Sequence, residues 1–256
     1  MQNNTFFEDS SPSNIIVFEE LASTNDYLKE LLSKVKPLEP NTVIMAKNQT
    51  AGKGQRGNVW KSEPYTNLTA SFLLSPEKLD ISNQFSLTVI ASLAVYDILK
   101  TFCGKNIFIK WPNDIMIENK KVAGILIENK ISGNFIKHSI IGIGLNIFQK
   151  QFPADISSKT TSLLLEIENL NLEIIDLVKK IQKKLEEYSV FYKENSDLLL
   201  ARYNRKLFRK DKVHSYIFEG NTAEGMILRV EKDGLLQIEI NKKLHKINLK
   251  GITYLV

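Results

Sequence analysis

A short loop near the start of the chain combines three glycines with two cations. Gly52, Gly54 and Gly57 fit the pattern G-x-G-x-x-G, and Lys53 and Arg56 lie between them. Backbone N–H groups in such a loop can turn towards phosphate oxygens, and the cations add charge. A strand follows the loop, not the helix that a dinucleotide-binding motif requires. The pattern therefore indicates a loop that a phosphate or ligand orders, with a flexible surface loop as the alternative.

A lysine ends an apolar strand in the segment K-W-P-N-D at residues 110–114. Pro112 has no N–H for a strand ladder, so the strand must end there or lie at an edge. Lys110 lies beside this break, next to Phe108 and Ile109. It is either a desolvated cation that can neutralise an anion or a surface lysine whose stem covers apolar neighbours.

Two apolar strands carry glycine in their interiors. They read K-V-A-G-I-L-I-E at residues 121–128 and I-G-I-G-L-N at residues 141–146. Glycine weakens a strand unless something approaches its backbone closely. The pair predicts either a narrow slot for a flat ligand or a helix packed tightly on the sheet.

These segments must be positioned by a mixed α/β domain. Apolar runs and alternation predict strands over 14–18, 42–47, 68–74, 107–111, 115–117, 122–129 and 138–146. Helices are predicted after the polar group Ser23–Asp26 and over 82–102 and 173–192. From Lys212 short strands follow, with Asp233–Gly234 as a hairpin signal. We therefore place one domain at residues 1–210 and a small all-β domain at 211–256, which should pack on the first because about 45 residues rarely fold alone.

The composition is that of an ordinary globular protein, with 43% apolar residues, 25% charged residues and a net charge of +5. No apolar run is long enough for a membrane span, and the N-terminus lacks a secretory signal. The single cysteine, Cys103, cannot form an intramolecular disulfide, and we expect it to be buried. We expect a soluble, cytoplasmic protein with no membrane partner.

The basic residues between Arg202 and Lys212 form either a solvated helix end and linker or a contact for an acidic partner or nucleic acid.

Taken together, the motifs resemble the biotin–protein ligase family. In order they are S-T-N at 23–25, Q-T-A-G-K-G-Q-R-G at 49–57 with Trp60, K-W-P-N-D at 110–114, K-V-A-G-I-L-I-E at 121–128, G-I-G-L-N at 142–146 and T-S-L at 161–163. Each motif is weak alone. Their shared order and spacing, from Ser23 to Leu163, is specific.

The resemblance implies an α+β fold. The catalytic domain of this family is a mixed β-sheet with helices packed on one face, similar to class II synthetases, and a small src-homology-3-like β-barrel follows at the C-terminus.

The resemblance also implies an enzyme that joins biotin to ATP with Mg²⁺, giving biotinyl-5′-AMP and pyrophosphate. Biotin then passes to a lysine of a biotin carboxyl carrier protein. Because two anions must meet in the first step, cations must screen them.

The resemblance also implies a role for each matching residue. Lys110 and Arg56 would be catalytic, with Lys110 neutralising the biotin carboxylate and the α-phosphate. Magnesium would enter with ATP, with no certain protein ligand. Biotin would contact Ser23, Thr24, Asn25, Gln49, Gly52, Lys53, Gly54, Gln55, Trp60, Lys110 and Gly124. ATP would contact Lys53, Arg56, Asn113, Asp114 and Asn146.

The loop departs from the family pattern at positions where many members carry arginine. This chain has Lys53, Gln55 and Asn58 there. The changes lower the positive charge of the loop and put in doubt how tightly it retains an adenylate, while the reaction type is unaffected.

Two other functions remain as alternatives. A lipoate or octanoate ligase shares the fold and the adenylate chemistry, but the glycine triplet of those relatives is absent from this sequence. A non-catalytic nucleic-acid-binding protein would use the basic segment and the barrel. About twenty residues precede the S-T-N motif, so we expect no helix-turn-helix domain and no specific DNA binding. A homodimer is possible.

Overall fold

The larger sheet lies in the first part of the chain. The computed structural model describes residues 14–34, 38–249 and 251–255, without the side chain of Arg56. The strands of this sheet are β1 (Ile15–Leu21), β2 (Val43–Gln49), β3 (Leu68–Leu74), β4 (Leu79–Asp80), β5 (Ile107–Lys110), β6 (Asp114–Ile117), β7 (Lys120–Ser132) and β8 (Phe135–Leu145). Their order is β1-β2-β3-β8-β7-β6-β5, and β4 pairs with β8. Only β1 and β2 pair in parallel among the described strands, so the sheet is mixed, as the sequence predicts.

Helices cover both faces of this sheet. They are α1 (Thr24–Lys34), α2 (Phe85–Lys100), α3 (Leu163–Glu166) and α4 (Ile174–Arg205). Alternation along β2 separates the two layers: Val43 and Met45 join the core under α2 and α4, whereas Ile44 and Ala46 pack with α1. The expected helical layer is therefore α2 and α4, and α1 lies on the opposite face.

Helix α4 is longer than its apolar periodicity indicates. The prediction ends at residue 192, whereas the helix continues to Arg205, with non-helical dihedral angles at Asn195. The extension is held by a contact between helices, because Arg202 Nη2 lies 2.6 Å from Asp97 Oδ1 on α2. Tyr188 bonds to both of these side chains.

Part of the basic cluster contacts the fold, while Arg205 and Lys212 are exposed, as expected of a solvated helix end and linker. Besides Arg202, the Lys206 ammonium lies 5.3 Å from the ring centroid of Tyr96. Arg209 donates to the backbone oxygen of Leu255 at 2.7 Å. These three cations support the fold, and among them Arg202 is neutralised by a carboxylate.

A second sheet follows at the C-terminus. It contains β9 (Val213–Phe218), β10 (Asn221–Val230), β11 (Leu236–Ile240), β12 (Lys243–Ile247) and β13 (Ile252–Tyr254), in the antiparallel order β12-β11-β10-β9-β13. The predicted hairpin at Asp233–Gly234 is present, with Gly234 at φ +87°. The Gly234 oxygen accepts a 3.1 Å hydrogen bond from the indole of Trp111, so this hairpin contacts the K-W-P-N-D segment.

Two further expectations can be compared with the described part of the chain. Cys103 is buried, with 2% of its surface exposed. None of the helices in the described ranges combines the length and apolar character that a bilayer crossing requires.

Candidate functional site

A narrow cavity lies on the face of the sheet that carries α1. Its lining includes most of the residues expected to bind biotin: Ser23, Thr24, Asn25, Gln49, Lys53, Gly54, Gln55, Trp60 and Gly124, together with Ala70, Asn113, Lys121, Ile125, Leu126, Gly142, Ile143 and Gly144. We call it the first cavity. Its volume is about 50 Å³, far below the roughly 300–1,000 Å³ of sites that hold small molecules.

One end of the first cavity is a network of buried polar side chains. Ser23 begins α1, because its hydroxyl accepts from the Asp26 N–H at 3.3 Å as an N-cap. The Gln49 amide oxygen accepts from the backbone N–H of Thr24 at 2.8 Å. Ser71 donates its hydroxyl towards Thr24 Oγ1 at 2.7 Å, a contact that the sequence motifs did not indicate. The network gives this end fixed donors and acceptors on rigid elements.

The interior glycines of β8 make room for side chains, not for a helix backbone. A Cβ atom at Gly142 would lie 2.4 Å from Asn25 Oδ1, and one at Gly144 would lie 2.2 Å from the Trp60 ring. Gly124 on β7 faces the same ring at 3.0 Å. The predicted slot therefore exists, and the indole of Trp60 lies in it.

Trp60 is carried by a small hairpin formed by the glycine-rich loop. Its N–H donates to the Gly52 oxygen at 2.9 Å, and the N–H of Gly54 donates to the Asn58 oxygen at 2.7 Å. Gly57 has φ +84°, a conformation that glycine adopts without strain. The indole Nε1 is buried without a hydrogen-bond partner in the described part of the chain. The loop thus contributes to the lining of the cavity, and its tryptophan fills the space.

The glycine-rich loop carries two cations, Lys53 and Arg56. Lys53 Nζ lies 2.7 Å from the Asp26 carboxylate in an exposed ion pair. The side chain of Arg56 lies outside the described residues, so its expected contact with phosphate stays a prediction. Gly52 does not line the first cavity and acts through its bond to Trp60.

A second cavity opens where β5 and β6 meet the C-terminal sheet. Its volume is about 420 Å³. The lining includes three lysines, Lys110, Lys121 and Lys159, and one carboxylate, Asp114, with the ring of Tyr254 from β13. The excess of positive charge favours an anionic ligand.

Lys110 lines the second cavity and not the first. Its ammonium lies 4.7 Å from the ring centroid of Tyr254. Burial lowers the pKa of Lys110, and the nearby cations Lys121, Arg209 and Lys159 lower it further, while the Asp114 carboxylate opposes them. Lys110 is therefore not among the lining residues of the first cavity, and its expected contact with biotin stays a prediction.

Lys121 lines both cavities. Its ammonium lies 2.7 Å from Asp114 Oδ1 and 5.4 Å from the ring centroid of Trp60. The sequence motifs did not predict Lys121 as a site residue, because the motif K-V-A-G-I-L-I-E was interpreted through its glycine. The available signal was a lysine at the start of an apolar strand with an acidic residue on the preceding strand.

The remaining expected nucleotide residues differ in placement. Asn113 lines the first cavity and donates to the Ile125 oxygen, and Asp114 lines the second. Asn146 lines neither cavity. It is 2% exposed, and its amide donates to the Thr161 oxygen at 3.0 Å, so in this arrangement it holds the 161 segment against the end of β8.

Over residues 14–34, 38–249 and 251–255, no group of three or more histidine, cysteine or acidic side chains could hold a metal ion. Asp114 and Asn113 supply oxygen ligands of the kind that Mg²⁺ takes together with substrate phosphates. The site therefore fits magnesium that arrives with a nucleotide.

Known proteins resemble this chain over most of its length. The bifunctional ligase/repressor BirA of Bacillus subtilis is 28% identical over 239 residues, which cover 91% of this chain and 71% of that protein. The biotin–[acetyl-CoA-carboxylase] ligase of Paracoccus denitrificans is 36% identical over 129 residues, 50% of this chain and 53% of that protein. The structure of biotin protein ligase from Aquifex aeolicus in complex with biotin and ATP matches with a TM-score of 0.77 at 25% identity, covering 94% of this chain and 97% of that one.

A family model gives the assignment. The model of the biotin/lipoate A/B protein ligase family matches residues 17–146, which are 130 of the 256 residues and span both glycine-bearing strands. The mixed sheet, its helices and the second antiparallel sheet agree with the solved biotin protein ligase structure. The chain therefore belongs to the biotin/lipoate A/B protein ligase family.

Proposed function

We propose that this enzyme adenylates biotin in the first cavity with ATP from the second, and transfers biotin to a lysine of a biotin carboxyl carrier protein. Relatives named biotin–[acetyl-CoA-carboxylase] ligase and biotin protein ligase support a biotin ligase, and a relative with bound biotin and ATP supports biotin activation. One observation carries the rest of the proposal: the two cavities share a single lysine, Lys121, which lines both.

The reaction needs a cation at the junction of the cavities. The biotin carboxylate attacks the α-phosphate, so two anions approach each other and pyrophosphate leaves. Lys121 is placed to contact both, and Asp114 holds its ammonium until ligands compete for it. A preorganised cation at the point where charge meets is the largest contribution such a site can make.

Lys110 and Lys159 then bind the phosphates that leave. Both line the second cavity, and no protein carboxylate besides Asp114 lines it among the described residues. Asp114 and Asn113 would hold magnesium that arrives with ATP, and the ion would supply positive charge to the leaving pyrophosphate. We assign Lys110 to the phosphates because its ammonium lies in that cavity, which refines its expected contact with the biotin carboxylate.

Biotin would take the place that Trp60 now occupies. The polar network of Thr24, Asn25 and Gln49 would bind the polar end of biotin, and its chain would run over Gly124 and Gly144 towards Lys121. Because the first cavity has only about 50 Å³, Trp60 must move aside and become a wall. The loop from Gly52 to Gly57 would then cover the adenylate and exclude water, with Arg56 on the phosphate.

The outer edge of β7 is the surface on which the acceptor would dock. Strand β6 pairs with β7 only as far as Gly124, and from Leu126 to Ser132 the described residues offer no partner strand on that side. Leu126 also lines the first cavity. A hairpin of the carrier protein can add to such an edge through main-chain hydrogen bonds and bring its lysine to the adenylate.

The first experiment identifies the acid. Purified enzyme is incubated with ATP and Mg²⁺ and, separately, with biotin, lipoate or octanoate, and acyl-AMP is measured by mass spectrometry. We expect biotinyl-AMP alone. Lipoyl-AMP or octanoyl-AMP would contradict the substrate, and a folded enzyme that adenylates none of the three acids would contradict the function.

The second experiment separates the two lysines. Lys121→Met should lower the rate of biotinyl-AMP formation by about 10²- to 10³-fold, because the junction loses its cation. Lys110→Met should mainly raise KM for ATP and leave KM for biotin nearly unchanged. Lys193→Met, which removes only an exposed pair with Glu77, is the matched control. A folded Lys121→Met enzyme with a normal rate would remove this lysine from the mechanism, and a normal KM for ATP in Lys110→Met would remove the phosphate role.

The third experiment tests the docking edge. The N–H of Ile125 points outwards to the Asn113 oxygen, so the backbone groups of Ile127 and Asn129 point outwards too. Asn129→Pro removes one outward donor without breaking a bond to β8. It should slow biotinylation of the carrier protein severalfold and leave biotinyl-AMP formation unchanged, while Asn129→Ala should affect neither. Equal transfer rates for the proline and alanine variants would place the acceptor elsewhere.

A further inference from the structure

Lys110 is a half-buried cation that lies beside an aromatic ring. Within the ranges that the structure describes, its ammonium has no ion-pair partner, and it lies over the Tyr254 ring, 4.7 Å from the ring centroid. A carboxylate partner would neutralise the charge of the lysine. An aromatic face attracts the ammonium through its quadrupole but leaves the net charge in place.

The Tyr254 ring is fixed from several sides. Its centroid lies 5.4 Å from that of Tyr216 in an edge-on contact and 6.3 Å from that of Phe208. Tyr254 pairs with Tyr216 across β13 and β9, so the backbone holds the same geometry. Burial raises the pKa of the Tyr254 hydroxyl, so the ring stays neutral at physiological pH.

The main chain on the other side of this contact is also fixed. The N–H of Ile109 donates to the Lys206 oxygen at 2.8 Å, and the N–H of Phe208 donates to the Ile109 oxygen at 2.9 Å. Residues 206–208 therefore close the outer edge of β5 beside Lys110. Phe208, the last residue of this segment, also contacts the Tyr254 ring. The segment therefore connects strand β5 to strand β13 beside Lys110.

We propose that Tyr254 is a positioning residue for adenylation: its ring, supplied by the C-terminal sheet, orients the Lys110 ammonium towards the phosphates in the second cavity. The inference rests on the proposed function, because it needs ATP in that cavity. It gives the C-terminal sheet a part in the first half of the reaction, before any acceptor protein binds. The hydroxyl of Tyr254 is buried without a hydrogen-bond partner in the described chain, so the π face is the functional part of the side chain.

The test compares two side chains at position 254. Tyr254→Met keeps apolar volume but removes the π face, and should lower kcat/KM for ATP by about 3- to 30-fold with little change in KM for biotin. Tyr254→Phe keeps the ring and should restore most of the loss. Phe218→Leu removes a ring from the same sheet, beside His245 and away from Lys110, and is the control for general damage to that sheet.

A double-mutant cycle separates positioning from packing. In a Lys110→Met background, Tyr254→Met should change kcat/KM for ATP by less than about twofold, because the interaction is already absent. Additive losses, or a Tyr254→Met enzyme no worse than Phe218→Leu, would overturn the inference. Tyr254→Leu serves the same comparison if the methionine variant does not fold. A wild-type enzyme that forms no biotinyl-AMP would instead overturn the proposed function, and this inference with it.

Discussion

The ammonium of Lys121 lies 2.7 Å from the Asp114 carboxylate, at the one place that both cavities share. Bringing two anions together requires a cation at their meeting point, and a cation kept there without ligand requires a counter-charge. Asp114 supplies that counter-charge from the neighbouring strand. The ion pair is partly exposed, so phosphate or carboxylate oxygens can compete for the lysine without a large structural change. The positions of the other site residues follow from this arrangement.

The sheet and its loops set what can reach that lysine. The glycines on β7 and β8 have no side chains to fill the first cavity, and the indole of Trp60 packs against their backbone. The polar network at the other end fixes hydrogen-bonding groups on α1 and β2. On the far side of Lys121, the C-terminal sheet supplies the Tyr254 ring that lines the second cavity. In the proposed function, ligand entry requires Trp60 to move, because the free volume of about 50 Å³ is too small for a small-molecule ligand.

Much of the fold could be predicted from the sequence, because apolar periodicity and turn residues determine where single strands and turns form. The strand at residues 68–74 and the hairpin at Asp233–Gly234 follow from apolar runs and turn chemistry. The extension of α4 could not be predicted, because the pair of Arg202 with Asp97 is a contact between distant helices. The S-T-N motif, Gln49 and Gly124 were predicted together and do lie together. Lys121 was not among the predicted site residues, because the register of β6 on β7, which brings its ammonium beside Asp114, is a pairing that no local pattern encodes.

The most direct test is a crystal structure of the enzyme with a non-hydrolysable analogue of biotinyl-AMP. The account predicts that Lys121 leaves Asp114 and contacts the oxygens at the acyl–phosphate linkage. We also expect that Trp60 moves out of the slot over Gly144 and that the chain of biotin occupies it. A structure with the analogue bound while Lys121 still pairs with Asp114, or with the linkage remote from Lys121, would contradict the account.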